Sequence, residues 1–331
     1  MDTFISVICP IYNEEKHIIK CVDSIIGQDY PKENMEVLFV DGMSTDETRV
    51  LLEPYLQKYS SLNLLDNPQR TAPCAMNVGI KAAKGDLIIR LDGHALYPKD
   101  YFSKLVYWHS LLKDADNIGG ICNTDVVNRT KTSVAIAKVM SDKFGVGNSK
   151  FRTGSNEKCL EVDTVPFGCY KREVFDKIGL YNERLTRCQD IEFNKRLKRN
   201  GGKIYIIPEI SCTYIPRDKF KSFARNRYLT GLWVIKSSKI TKTFKNLGIR
   251  HFIPLCFVLS LFASIVFGLL FTPIFWIGLF IFLLYSLLMF TRSVKIKDEG
   301  TTSLRVFIAF LVLHLSYGCG SLVGILKPTN K

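Results

Sequence analysis

The chain has 331 residues, of which 47% are hydrophobic and 23% charged, and a formal net charge of +14. That length accommodates one large domain plus a membrane part, or two domains. Ten singly scattered cysteines with no CxxC pair argue against a disulfide framework and fit a reducing compartment.

The charge is unevenly placed. Residues 1–100 hold 10 Lys/Arg against 15 Asp/Glu, whereas residues 195–250 hold 15 Lys/Arg against Glu209 and Asp218 alone. A basic stretch just before an apolar end suits an anionic leaflet better than nucleic acid, because the adjoining runs need a bilayer in any case. The N-terminal MDTFISVICPIYNEE lacks a basic n-region and reaches acidic residues too early for a secretory signal.

In chain order, Phe4–Cys9 is an apolar run closed by Pro10 and predicts a buried strand. Glu14–Ile26 carries a helical stripe at Ile18, Ile19, Val22, Ile25 and Ile26. Glu36–Val40 predicts a second strand, and Ser44–Glu47 a capped start for a helix to about Tyr59. Leu62–Leu65 and Leu87–Leu91 predict further strands, with a small-residue helix over Thr71–Ala83 between them. Alternating strands and helices argue for an α/β domain with a mostly parallel sheet, whose ligands sit beyond the carboxyl ends of the strands. Pro10–Glu14, Asp41–Ser44 and Asp92–His94 all follow strands, so three distant loops are expected on one rim.

Beyond residue 100 the pattern predicts a helix over Tyr101–Leu112 and a strand over Ile118–Cys122. Ser141–Glu157 reads as a mobile loop, and Val162–Tyr170 as an apolar, strand-like run. Arg187–Asn200 predicts a helix with acids first and bases last, as the macrodipole favours. Ile204–Ile207 is a short strand, and Phe220–Ile235 a basic, aromatic amphipathic stretch suited to a membrane surface. Residues 252–271 and 274–290 are uncharged and form a candidate hairpin of spans. Residues 306–326 form a third candidate, in which Gly320 and Gly324 offer a small-residue packing face. The expected domains are thus 1–235, a basic juxtamembrane segment 236–251, and a transmembrane region 252–331.

Three constellations can carry chemistry. Pro10, Tyr12, Asn13 and Glu14, with Asp41 on the next strand's end, offer an aromatic face and a carboxylate to a base or ribose, or equally ordinary turn chemistry. Asp92 and His94 can share a divalent cation bridging a diphosphate, with imidazole tilting the choice towards Mn²⁺. Taken alone this triplet reads as an exposed loop. Asp190 and Glu192 open a helix, where either could take a proton from an incoming hydroxyl, or both could merely decorate the dipole.

Their order and spacing decide the reading. SVICPIYNEE, VDGMST, GDLIIRLDGHA and QDIEFNKRL together resemble the family 2 glycosyltransferases, which have the GT-A fold, over residues 4–235. DGMSTDET, DGHA with Tyr97-Pro98, and HLSYGCGSLVG look most like the succinoglycan-biosynthesis branch. The resemblance implies a nucleotide-sugar donor (a UDP-sugar is expected), Mn²⁺ or Mg²⁺, and inversion at the anomeric carbon. It places Tyr12 on the base, Asp41 on base or ribose, Asp92 and His94 on the DxD motif, and Asp190 on the catalytic base. His94 departs from the last Asp of DxD, and Gln189 from the acid that usually precedes the base. In place of the QxxRW of processive synthases stands Ala224–Tyr228, which favours single-sugar transfer, with Glu192, Arg225, Arg227 and Tyr228 as acceptor-side candidates.

The expectation is a multi-pass enzyme of the cell membrane with a cytoplasmic catalytic domain and no nucleic-acid partner. Its acceptor would be a polyprenyl-diphosphate-linked saccharide in exopolysaccharide or capsule assembly. The alternatives are direct glycosylation of a membrane lipid and a non-catalytic scaffold that retains the fold.

Overall fold

A computed structural model describes residues 3–328 apart from Val127 and residues 244–247, so part of the expected juxtamembrane segment lies outside the described residues. The chain divides into two compact units, Met1–Asn123 with Gly154–Tyr214, and Thr124–Thr153 with Ile215–Lys331.

The first unit opens with β1 (Ile5–Ile11), α1 (Ile18–Ile26), β2 (Met35–Asp41), α2 (Thr48–Lys58), β3 (Leu62–Asp66), α3 (Ala72–Ala82) and β4 (Leu87–Arg90). It continues with β5 (Ala95–Leu96), α4 (Tyr101–Leu111) and β6 (Asn117–Thr124). The chain then passes through α5 (Lys131–Met140), α6 (Lys143–Val146) and α7 (Lys150–Thr153), which belong to the second unit. It returns as β7 (Leu160–Glu161), β8 (Cys169–Lys171), α8 (Glu173–Ile178), α9 (Gln189–Arg199) and β9 (Ile204–Tyr214).

These strands form one sheet in the order β3-β2-β1-β4-β8-β6-β9-β5, with β7 on β9. The half made of β3, β2, β1 and β4 is parallel. The pairs β4–β8, β6–β8, β5–β9 and β7–β9 are antiparallel, so the sheet is mixed. The first three helices each cross between parallel strands, and cover on both faces explains why every residue of β2 is buried. β1, β2 and β4 are neighbours, so the loops after Ile11, Asp41 and Arg90 leave the same edge.

The helix read from the Ser44–Glu47 start begins at Thr48, where Asp46 Oδ1 accepts from Thr48 N (3.1 Å), while the Ser44 hydroxyl is spent on Asp41. The structure departs from the sequence expectation in three places. Val162–Tyr170 is not one strand: Pro166 and a left-handed Phe167 (φ 47°) break it, leaving only Cys169–Lys171 on the sheet. Ser141–Glu157 contains α6 and α7 rather than a mobile loop, with Asp142 buried and capping α6. The basic amphipathic stretch runs unbroken through residue 235.

In the second unit that stretch is α10 (Phe220–Thr241), followed by α11 (Ile253–Gly268), α12 (Thr272–Ile296) and α13 (Ser303–Leu326). α12 and α13 are long and apolar enough to cross a membrane. Half of the most apolar stretch of α13 is buried (50%) against 11% for that of α12, so the two helices have different surroundings. α13 packs with α5, α10 and the base of α12 around Ile136, Val139, Phe223, Met289, Val306 and Phe310. Gly320 lies against the backbone of α10, where an added Cβ would stand 2.0 Å from the Tyr228 carbonyl oxygen. The small-residue face read from the sequence therefore serves a helix–helix contact within this unit.

Candidate active site

β1 ends at Ile11, and Tyr12 follows with 44% of its surface exposed. Its ring lies over Gly42, where an added Cβ would come within 3.2 Å of it. Asn13 takes a left-handed conformation (φ 53°), which a short amide side chain tolerates. Its backbone N–H donates to Ser44 Oγ (2.9 Å), and its Oδ1 accepts from Thr45 N (2.9 Å). Glu14 N donates to Thr48 Oγ1 (2.8 Å). The loops after β1 and β2 are thus stitched together around the tyrosine.

Asp41 is fully buried (0%) at the end of β2. Its Oδ2 accepts from Ser44 N (3.0 Å) and pairs with Arg49 Nε (2.5 Å), and its Oδ1 accepts from Ser44 Oγ (2.5 Å). Arg49 also pairs with Asp66 at the end of β3. Asp41 therefore shapes the loop through side chains that themselves reach solvent.

The loop after β4 presses on β1: a Cβ at Gly93 would sit 3.0 Å from Ile11 Cγ2. This puts His94 Nδ1 3.0 Å from Glu14 Oε1. Asp92 is half-buried, and its backbone N–H donates to the Tyr97 hydroxyl (2.9 Å). Arg90, the last residue of β4, reaches Asp92 Oδ1 (3.3 Å) with Nη2 and stands 4.0 Å from Asp190 Oδ2 with Nη1. Two carboxylates 98 positions apart in sequence so share one guanidinium. Burial works against the charge of Arg90, but the pull of Asp92 and then of Asp190 outweighs it and raises its pKa above the ordinary value.

α9 holds Asp190 in place. Buried Asn194 accepts from Asn117 Nδ2 and from the Tyr170 hydroxyl, both at 3.0 Å, and donates to Thr164 Oγ1 at 2.8 Å. Phe193 stacks on Tyr181, with ring centroids 4.4 Å apart. Glu192 points elsewhere: both its oxygens accept from Arg196, at 3.1 Å each, and Arg196 is itself fastened to the carbonyls of Ile178 and Leu180. Asp190 Oδ1 accepts from the Ile191 N–H (2.9 Å) while the side chain stays open to solvent.

The structure gathers Tyr12, Asn13, Glu14, Asp41, Asp92, His94 and Asp190 in the first unit. Pro10 is paired inside the sheet with Val40. Arg225, Arg227 and Tyr228 lie on α10 in the second unit, with Arg225 exposed and Arg227 over the Phe223 ring. Arg49 and Arg90 have no role in the sequence reading. The signal for Arg90 was a lone cation ending the apolar run LIIRL, two residues before an acid and therefore on the same side of the strand. Among the described residues no three His, Cys, Asp or Glu side chains cluster as a metal cage. Both members of the expected metal triplet already have protein partners, Asp92 Oδ1 in Arg90 and His94 Nδ1 in Glu14.

The family model described as "Glycosyl transferase family 2" matches residues 6–179. A relative from Methanococcus voltae, a dolichyl N-acetyl-alpha-D-glucosaminyl phosphate 3-beta-D-2,3-diacetamido-2,3-dideoxy-beta-D-glucuronosyltransferase, is 30% identical over 99% of this chain and 98% of its own length. The succinoglycan biosynthesis protein ExoA of Rhizobium meliloti is 29% identical over 68% of this chain and 72% of its own. In fold, the chain resembles the mannosyltransferase PcManGT of Pyrobaculum calidifontis, solved with GDP-Man and Mn²⁺ (TM-score 0.59, 18% identity, 95% of this chain and 88% of that one). It also resembles residues 1–349 of S. aureus TarS, solved with UDP-GlcNAc (TM-score 0.54, 18% identity, 96% and 90%).

Proposed function

This chain belongs to glycosyl transferase family 2, and we propose that it moves one sugar, with inversion, from a nucleotide sugar to a lipid-linked saccharide at a membrane surface. It is a glycosyltransferase whose relatives act on lipid-linked or polysaccharide substrates. The observation that carries the finer reading is the Asp92–Arg90–Asp190 arrangement. It holds a diphosphate-side acid and a candidate base within reach of one buried cation, on the rim where the donor loops meet.

In this reading Tyr12 stacks on the nucleotide base, with Asn13, Glu14 and Asp41 shaping the pocket around it. Asp190 takes the proton from the acceptor hydroxyl as its oxygen attacks the anomeric carbon. The bond from that carbon to the diphosphate breaks, and the nucleoside diphosphate leaves with the electron pair. Glu192 is a poorer base because Arg196 already holds both its oxygens. Arg90, 4.0 Å from Asp190 Oδ2, orients that carboxylate. Mn²⁺ or Mg²⁺, bound by Asp92 and His94 together with the diphosphate, would neutralise the charge of the leaving group.

The acceptor is a polyprenyl-phosphate- or diphosphate-linked saccharide, as the name of the Methanococcus voltae relative suggests, in assembly of a cell-surface polysaccharide. A UDP-sugar is the expected donor, by analogy with the TarS complex. Membrane attachment through the helices after residue 252, with the first unit in the cytoplasm, explains how a water-soluble donor meets a lipid-borne acceptor.

Membranes containing this protein, supplied with a panel of nucleotide sugars, should extend a polyprenyl-linked saccharide by one residue and lose that activity in excess chelator. Sugar found directly on a bulk lipid would replace the acceptor assignment. Full activity in chelator would remove the metal from the mechanism.

A further inference from the structure

Among the described residues, the hairpin of α11 and α12 is fastened to the rest of its unit near its base. There the His251 ring nitrogen Nδ1 lies 2.7 Å from the Tyr317 hydroxyl. Gly318 packs on Pro254 and Val258, where an added Cβ would meet the Pro254 carbonyl oxygen at 2.2 Å. On the other arm, the Tyr285 hydroxyl lies 2.8 Å from His314 Nδ1, and Arg292 Nε donates to Asp142 Oδ2 at 2.8 Å. The buried residues of α11 are Pro254, Leu255, Val258 and Ser264, and those of α12 are Gly278, Met289 and Ser293. Only Ser264 and Gly278 lie beyond the base, and they face each other across the two arms. The free part, Leu259–Gly268 and Thr272–Leu284, is about 15–20 Å long at 1.5 Å per residue.

The apex of this free part is apolar and open. Leu269 and Leu270 are 86% and 85% exposed, and no residue from 252 to 291 is charged. Part of its backbone pairs within the turn: Leu270 N and Phe271 N donate to the Phe267 carbonyl (3.0 and 2.8 Å), and Ile274 N to that of Phe271 (3.0 Å). Pro273 removes one further donor at the start of α12. Each such pairing lowers the cost of placing the apex in hydrocarbon, where unpaired backbone groups are expensive.

α13 has the opposite surroundings. α10 runs beside it in parallel, with Tyr228 against Gly320, Ile235 against Gly324, and the Lys239 ammonium capping the Ile325 and Lys327 carbonyls. For α13 to cross a bilayer, α10 would have to cross with it. Yet α10 carries Lys221, Arg225, Arg227, Lys236 and Lys239, and its longest central uncharged run is Tyr228–Ile235. That run covers about 12 Å of a hydrocarbon core about 30 Å thick. The chain that covers the first half of α13 is α5 and α6, an excursion between strands of the first unit, with the Phe144 carbonyl 2.9 Å from His314 Nε2.

We infer that the bilayer receives only the α11–α12 hairpin, as a wedge that enters one leaflet and returns. α13 lies outside the hydrocarbon, docked along α10, and its C-terminal end stays on the side of the membrane that holds the catalytic unit. The inference rests on the membrane reading of the preceding section and narrows it, since length and hydropathy alone nominate α13 as a span. A wedge in one leaflet leaves the enzyme among the lipid-borne acceptors of that leaflet.

The full chain tests this with Cys159, Cys188, Cys256 and Cys319, the cysteines that are not buried, replaced by Ser, and one accessible cysteine added by Leu270→Cys or Lys327→Cys. An impermeant maleimide applied outside intact cells should label neither. In inverted vesicles it should label Lys327→Cys fully and leave Leu270→Cys at least tenfold below its level in detergent. Labelling of Leu270→Cys from outside would show a hairpin that crosses. Labelling of Lys327→Cys from outside, or its silence in inverted vesicles, would return α13 to the membrane. Recovery of the chain in the soluble fraction would instead sink the membrane reading itself.

Discussion

The two units invert the ordinary rule of burial in opposite senses. The first hides charge: Asp41 is buried under Arg49, and Arg90 is enclosed between Asp92 and Asp190. The second displays grease: the apex of its hairpin is among the most exposed parts of the chain although it is wholly apolar. Buried charge is costly unless paired, and exposed apolar surface of this extent is rare on a soluble monomer. Under the proposed function each unit tolerates an unfavourable arrangement where it would meet something else, a charged substrate in one case and lipid in the other.

The sharpest way to break this comparison is Asp190→Asn. Loss of a general base should lower turnover by about 10²–10⁴-fold with nucleotide affinity intact. Glu192→Gln should lower thermal stability instead, because it weakens the pair that aims Arg196 at the Ile178 and Leu180 carbonyls. Near-normal turnover in Asp190→Asn with loss in Glu192→Gln would exchange the two roles.

A second hidden ionisable group makes the first unit sensitive to acid. His109 is buried, with its Nε2 2.8 Å from the Cys169 carbonyl oxygen, and burial lowers its pKa to about 4. Above pH 6.5 it is neutral in folded and unfolded chains alike. As pH falls from about 6.5 towards 4 the unfolded chain takes up a proton that the folded one refuses, so stability is lost, by about 3 kcal/mol in all. His109→Gln should remove this part of the slope, and equal slopes in both proteins, followed by denaturant unfolding, would exclude the group.

Arg90→Met comes next. It strands two acids, but both reach solvent, so about 2 kcal/mol of stability should go rather than the 3–5 of a fully buried pair. A melting point within a degree of the parent would mean that the guanidinium is not held between them. The smallest effect belongs to the hairpin. In detergent, Leu270→Ser should change stability by less than about 0.5 kcal/mol, since the residue is 85% exposed. A larger loss would show that the apex has a protein partner.

Much of the first unit was legible in sequence because its strands are buried on both faces and read as uninterrupted apolar runs. β1, β2, β3 and β4 fall within two residues of expectation at each end. The antiparallel half was less legible: β8 and β7 are only three and two residues long, and Pro166 with left-handed Phe167 divides what composition presents as one run. Of the residues read as the capped start of α2, Asp46 serves the helix end while Ser44 serves the buried Asp41 carboxylate, a division that the sequence does not display.

The sequence by itself determined the family, the acids that line up behind the strands, and the presence of three apolar segments near the end. Those properties are local: periodicity, spacing and an uncharged run survive in a one-dimensional reading. Only the tertiary structure decided which groups those acids face. Arg90 could be matched to Asp190 only when the sheet brought β4 beside β8 and α9 was locked by Asn194. Likewise α12 and α13 are nearly equal in length and both apolar, and they differ in what covers them, which hydropathy cannot register. Burial is a property of neighbours distant in sequence, and it distinguishes a paired acid from a loop and a docked helix from a free one.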